Sequence, residues 1–178
     1  MNLILVAGKG GVGKHTIASC LSKRTGYRLL LNHLTANIAL ALFDLYSDHF
    51  ADLRDDIWRA AIDRSVAAQT PGLVMTFALD PRLRRDTISD IRTIVGESGG
   101  RFFVVRITCA DDENRRRAEN LDRKAFGKPT NYGEIAAFYA QHGLMSDEVL
   151  QPDIVVEVTN MTPEESAEAI LQAYYHNH

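Results

Sequence analysis

The chain predicts an α/β fold, a three-layer α/β/α sandwich built on a five-stranded parallel sheet, and three observations predict it. Five short apolar runs alternate along the sequence with segments of helical periodicity, the order that assembles parallel strands through helical crossovers. The runs are continuous rather than alternating, as strands covered on both faces must be. The first of them ends in a glycine-rich turn that leads directly into a helix. With 178 residues and 46% hydrophobic content the chain can fill one sizeable core, so residues 1–178 are expected to form a single domain.

Leu3 to Ala7 is the first run, and it stops at Gly8. Ile17, Cys20 and Leu21 recur at helical spacing from Lys14 to Thr25, where Gly26 ends the helix. Tyr27 to Leu31 reads as the second strand. Thr35 or Asn37 then caps a short apolar helix reaching Tyr46. Asp48 opens a longer helix to Gln69, with Phe50, Leu53, Ile57 and Ala61 on one face and Pro71-Gly72 as its breaker. Leu73 to Leu79 is the third strand, and Asp80-Pro81 caps a helix running through Val95. Phe102 to Thr108 is the fourth strand, after which Asp111 or Asp112 caps an arginine-dense helix ending near Phe126-Gly127. Residues 128–131 read as a loop, Tyr132 to His142 as a helix closed by Gly143, and Ile154 to Val158 as the fifth strand. Thr162-Pro163-Glu164-Glu165 is a capping box with proline at the first helical position, opening the last helix.

A formal charge of -3 and a pI near 6.1 give no global electrostatic reason to bind nucleic acid or a membrane surface, so a small-molecule ligand is expected. Cys20 and Cys109 form neither a disulfide framework nor a metal-ligand spacing, which suits a reducing cytoplasm. No apolar run approaches the ~20 residues that span a bilayer.

Gly8-x4-Gly13-Lys14 satisfies the first seven positions of the Walker A pattern. Its glycines let successive N–H groups point inward at phosphate oxygens, and the following helix aims its positive end at the same place. Gly8, Gly10, Gly11, Val12, Gly13, Lys14, His15 and Thr16 are therefore the expected nucleotide-binding positions, with Lys14 reaching the β- and γ-phosphates of ATP. The eighth position ordinarily supplies a hydroxyl to Mg²⁺, and here it is His15. Imidazole is a poor ligand for a hard cation, so Mg²⁺ is expected to depend on carboxylate and water, with slow turnover if it is weakly held. Thr16 is turned by about 100° from position 15 and is assigned to the α-phosphate.

Lys9-Gly10-Gly11-Val12-Gly13-Lys14 resembles the deviant Walker A of the partition and nitrogenase-iron-protein class, in which the earlier lysine reaches a partner's nucleotide across a dimer. That class carries Ser or Thr after the second lysine, aspartates after the second strand and a later Asp-x-x-Gly. This chain has His15, Asn32-His33 and no such switch. The chain resembles the P-loop small-molecule and nucleotide kinases, shikimate kinase and gluconate kinase among them, and Gly13-Lys14-His15-Thr16, Asn32-His33-Leu34-Thr35 and Arg123-Lys124-Ala125-Phe126-Gly127-Lys128 together carry a closer resemblance to the AAA-family ATPase-like and shikimate-kinase-like bacterial P-loop proteins, in which a residue without a hydroxyl stands between the lysine and the threonine. The resemblance implies the P-loop NTPase sandwich with strand order 2-3-1-4-5 and an arginine-rich lid at about 112–131. It implies a kinase transferring the ATP γ-phosphoryl to a small molecule or nucleotide with Mg²⁺, as monomer or homodimer. Arg117 would lie on the adenine and Arg123 over the transferring phosphoryl. The alternatives are a dimeric nucleotide switch and a nucleotide binder with little turnover. For Arg115, Arg116 and Arg117 the other reading is a solvated helix face paired with Asp112, Glu113 and Glu119.

Strand ends are where substrate groups gather in open α/β sheets, which selects Asn32, His33 and Asp80. His33 is of the type that takes a proton near neutral pH, and a buried structural histidine is the alternative. Asp80 follows the third strand as a metal-shell aspartate would, and Asp80-Pro81-Arg82 resembles the Asp-Gly-aromatic-Pro-Arg of adenylate kinases. Arg54 and Arg59 fall where related kinases hold an acidic or phosphorylated acceptor. Trp58 is expected to pack rather than stack on a substrate.

Overall fold

The computed structural model describes residues 1–45, 47–80, 86–120 and 131–176. Strands β1 (Asn2–Gly8), β2 (Arg28–Leu30), β3 (Gly72–Ala78), β4 (Phe102–Thr108) and β5 (Ile154–Glu157) form one parallel sheet in the order β2-β3-β1-β4-β5. This is the expected topology. β1 is central, in register from Asn2↔Gly72 to Gly8↔Ala78 on one side and from Leu3↔Phe102 to Ala7↔Arg106 on the other.

Consecutive strand residues point to opposite faces, and both faces are covered. Leu3, Leu5 and Ala7 of β1 meet Trp58 and Ile62 of α3 (Asp48–Ala67) and Ile91 of α4 (Thr87–Glu97). Ile4 and Val6 meet Ile17 and Leu21 of α1 (Lys14–Thr25) and Ile170 of α8 (Pro163–His176). Each such side chain, fully buried, contributes about 1.5–3 kcal/mol, which is why the strands carry no polar alternation. α2 (Asn32–Leu40) and α5 (Asp111–Ala118) follow directly from the carboxyl ends of β2 and β4, and α6 (Tyr132–His142) and α7 (Asp147–Leu150) precede β5. No described helix is long and apolar enough to cross a membrane.

Several helix boundaries and faces differ from the sequence reading. α2 begins at Asn32 rather than after Thr35 or Asn37, because the Asn32 N–H is received by Thr76 Oγ1 of β3 at 2.8 Å. Thr35 lies inside the helix, its hydroxyl donating back to the Asn32 carbonyl at 2.9 Å. α2 ends at Leu40, short of Tyr46. α3 buries Phe50 as expected, but beyond it Arg54, Trp58 and Ile62 rather than Leu53, Ile57 and Ala61, since the indole and the Arg54-Asp55 pair claim the sheet side. α4 starts at Thr87 with Asp86 at its capping position, so Asp80 does not cap it; the Asp80 carboxylate receives Arg54 instead, and the expected Pro81 start lies outside the described residues. α5 stops at Ala118, with Ala110 at the capping position and Asp111 and Asp112 in the first turn, where their charge meets the helix's positive end. α7 has no counterpart in the sequence reading. The capping box of α8 forms in both directions: Glu165 N–H donates to Thr162 Oγ1 at 3.1 Å and Thr162 N–H to Glu165 Oε2 at 2.8 Å.

Candidate functional site

The carboxyl ends of β1, β3 and β4 share one edge of the sheet, and the polar side chains gather there. Beyond Gly8 the chain turns through residues 9–13 into α1. Gly11 and Gly13 hold φ values of 92° and 104°, open to glycine at no steric cost. A Cβ on Gly11 would also fall 2.8 Å from Asn114 Nδ2. Gly13 stands at the capping position of α1 without a side chain, and Lys14 to Ile17 include no acid. The leading N–H groups and positive end of a twelve-residue helix therefore meet no carboxylate from their own turn, a setting made for an anion. Lys14 Nζ donates to the carbonyls of Gly8 at 2.7 Å and Lys9 at 2.6 Å, which hold the ammonium against the loop.

Three side chains from distant helices brace this loop. Buried Asn114 donates to the Gly10 carbonyl at 2.9 Å, and Tyr139 Oη accepts from the Gly10 N–H at 3.3 Å. Arg117 donates to the carbonyls of Val12 at 3.0 Å, Val158 at 2.9 Å and Thr159 at 3.3 Å. Burial pushes the Tyr139 phenol up to about 12, so it remains a neutral hydroxyl beside the loop. The guanidiniums of Arg116 and Arg117 hold the Glu113 carboxyl down at about 2. Arg117, expected beside the adenine, thus turns its N–H groups to backbone carbonyls of the loop and of the segment after β5. Asn114 and Tyr139 were not expected here; they lie 104 and 129 residues from Gly10, and no local pattern announces them.

The opposite wall is built on a buried arginine. Arg54 is 3% exposed, its Nε donating to Asp55 Oδ1 at 3.1 Å and its Nη1 to Asp80 Oδ2 at 2.9 Å. Its guanidinium carbon lies 5.5 Å from the ring centre of Phe50 and 5.1 Å from that of Trp58, so the lone tryptophan packs as expected. Thr87 Oγ1 donates to Asp55 Oδ2 at 3.1 Å, completing a network whose Asp55 and Thr87 the sequence reading missed. The signal was an arginine in the otherwise apolar stripe Phe50-Arg54-Trp58-Ile62. Arg54 Nη2 and Asn32 Oδ1 are buried polar atoms with no hydrogen-bond partner. Such atoms cost stability unless a ligand or water completes them.

One cavity of about 1020 Å³ joins the two walls: Gly13, Lys14 and His15 line it, and so do Asn32, His33 and Arg54. Asp80 lines it too, 6% exposed. Arg59 is elsewhere, bracing α3 to α4 through Asp86 at 3.2 Å and Asp90. Arg115 stacks 5.1 Å from the Tyr132 ring. Arg123, the rest of the expected lid from 121 to 130, and Pro81-Arg82 lie outside the described residues.

The residues at the loop fit Mg²⁺ poorly. Position 15 offers an imidazole where the hydroxyl belongs, its ring centroid 5.8 Å from that of His33, and the Asp80 carboxylate is held by Arg54. A hard ion prefers oxygen ligands, and neither feature supplies one freely. Among the described residues no group of three or more His, Cys, Asp or Glu gathers to hold a metal.

Sheet order, phosphate loop and covering helices together define the fold of the P-loop kinases. A sugar kinase from Janibacter sp. HTCC2649 superposes with a TM-score of 0.67 at 17% identity, covering 98% of this chain and 95% of that one. A gluconokinase from Sinorhizobium meliloti 1021 gives 0.64 at 17% identity, with 99% and 98% covered. Shikimate kinase from Acinetobacter baumannii in complex with shikimate gives 0.61 at 14% identity, with 99% and 94% covered. At these identities the likeness is one of fold. No protein-family model matches the chain, and no curated protein matches it.

Proposed function

We propose that this protein is an ATP-dependent phosphotransferase that moves the γ-phosphoryl to a small molecule carrying a carboxylate or phosphate. The observation behind this reading is the single cavity that runs from the phosphate loop to Arg54, a buried cation with an N–H group still to be satisfied. Nε and Nη1 are taken by Asp55 and Asp80, so the remaining Nη2 can give one charge-assisted hydrogen bond to an anionic oxygen, which is why the acceptor is read as acidic. The loop N–H groups and the start of α1 would hold the β- and γ-phosphates. Lys14 would exchange its carbonyl partners for the transferring phosphoryl, where its charge counts most in the transition state. Arg117 would flank the nucleotide, and Arg123 would close over it from the lid. Asn32 and Arg54 would bind the acceptor, and Asp80 would orient Arg54. The structural neighbours named above are kinases, in keeping with this class.

A dimeric switch is the weaker reading, because Lys9, which would have to cross to a partner, faces Asp111 of its own chain at 3.8 Å.

The test is ATP binding by calorimetry followed by an ADP-release screen over hydroxy acids, sugar acids and phosphorylated sugars. Acceptor-dependent release by the native chain, absent in Lys14→Ala, is the expected result. ATP binding that no acceptor converts into release would leave a nucleotide binder, and absence of nucleotide binding would remove the reading altogether.

A further inference from the structure

The phosphate loop carries a histidine at its cation position, and the fold sets a second histidine beside it. His15 lies in the first turn of α1, which follows β1, and His33 in the first turn of α2, which follows β2, with β3 between those two strands at the carboxyl edge of the sheet. Their ring centroids are 5.8 Å apart with planes at 52°, and both line the cavity. An imidazole nitrogen binds an ion such as Zn²⁺ at about 2.0–2.1 Å, so two rings sharing one ion cannot have centroids more than about 6.5 Å apart. The observed separation lies within that limit.

Resting on the nucleotide-binding reading above, we propose that His15 and His33 form a two-imidazole cation site, completed by nucleotide phosphate oxygens and water, that selects an ion of the Zn²⁺, Co²⁺ or Ni²⁺ type over Mg²⁺. Ligand chemistry sets this preference: imidazole suits these borderline ions, whereas Mg²⁺ requires oxygen. His33, as a ligand, has no free lone pair for an acceptor proton, so this role takes the place of the general-base role expected from sequence.

The test uses the whole chain and ADP with Co²⁺ or Mg²⁺ as probe. Calorimetry in chelator first measures ADP binding without a cation. Co²⁺ should then tighten ADP binding at least tenfold more than Mg²⁺ does, and proton NMR of the Co²⁺ complex should show hyperfine-shifted imidazole N–H signals from two residues. His15→Ser should reverse the cation order and remove one signal, and His33→Asn should remove the other. Equal tightening by the two ions, or a Co²⁺ complex with no shifted imidazole signals, overturns the proposal while leaving the kinase reading intact. The NMR result on the native chain decides the matter even if a variant fails to fold. Failure of ADP to bind under every condition overturns both.

Discussion

Arg54 occupies a setting that rejects most charged side chains, 3% exposed against two aromatic rings, and it persists there because two carboxylates pair with it. Removing one member of a buried ionic group leaves the others uncompensated, at a cost of about 3–5 kcal/mol. Arg54→Met should therefore lower stability by that order in urea denaturation, and adding Asp80→Asn should restore part of the loss by removing one stranded charge. A double variant no more stable than the single would show that Asp80 is not coupled to Arg54. The chemistry of this position was legible in the sequence only as an arginine on a helix after the second strand. The network around it was not, because Asp80 arrives from beyond another strand and Thr87, which donates to Asp55, from another helix.

At the scale of elements, legibility followed the locality of the physics. The central strands, buried on both faces, announce themselves as apolar runs, and the bounds of all five strands fell within a residue or two of expectation. The capping box of α8 is equally local, four residues that complete each other's backbone groups. Thr162→Ala should cost about 1 kcal/mol, read as a lowered urea midpoint, since an N-cap hydroxyl is worth that much. The start of α2 depends instead on Thr76 of a neighbouring strand, 44 residues away, and could not be read locally. α5 offers a test with pH. Its Glu113 carboxyl is held at about 2, below its ordinary 4.5, by hydrogen bonds from Arg116 and Arg117. A carboxylate with a lowered folded-state pKa stabilises the chain above the unfolded value and loses that contribution as the pH falls through the folded one. The native chain should therefore exceed Glu113→Gln in urea midpoint near neutral pH, and the gap should close between about pH 4.5 and 2. A gap independent of pH would mean that Glu113 acts by packing alone.

Across the whole molecule, the phosphate loop is a junction: β1 and α1 carry it, while Asn114, Arg117 and Tyr139 tie it to α5 and α6. A ligand seated on the loop would engage a structure fixed from several elements at once, so its binding should stabilise the fold as a unit. For one site saturated at a hundred times its dissociation constant, that stabilisation is about 2.7 kcal/mol. In a chain of this size each kcal/mol moves the midpoint of thermal unfolding by about 2–4 °C, giving a rise of roughly 5–10 °C with ATP. Lys14→Ala should lose most of the rise at the same ATP concentration, because the ammonium is held against the loop on which the phosphates would sit. Lys9→Ala should keep it, because Lys9 faces solvent beside Asp111. The same pair of variants separates the two readings of the loop during turnover: a kinase retains acceptor-dependent ADP release in Lys9→Ala, whereas a switch that relies on Lys9 reaching a partner's nucleotide loses hydrolysis and does so only at protein concentrations where a dimer forms.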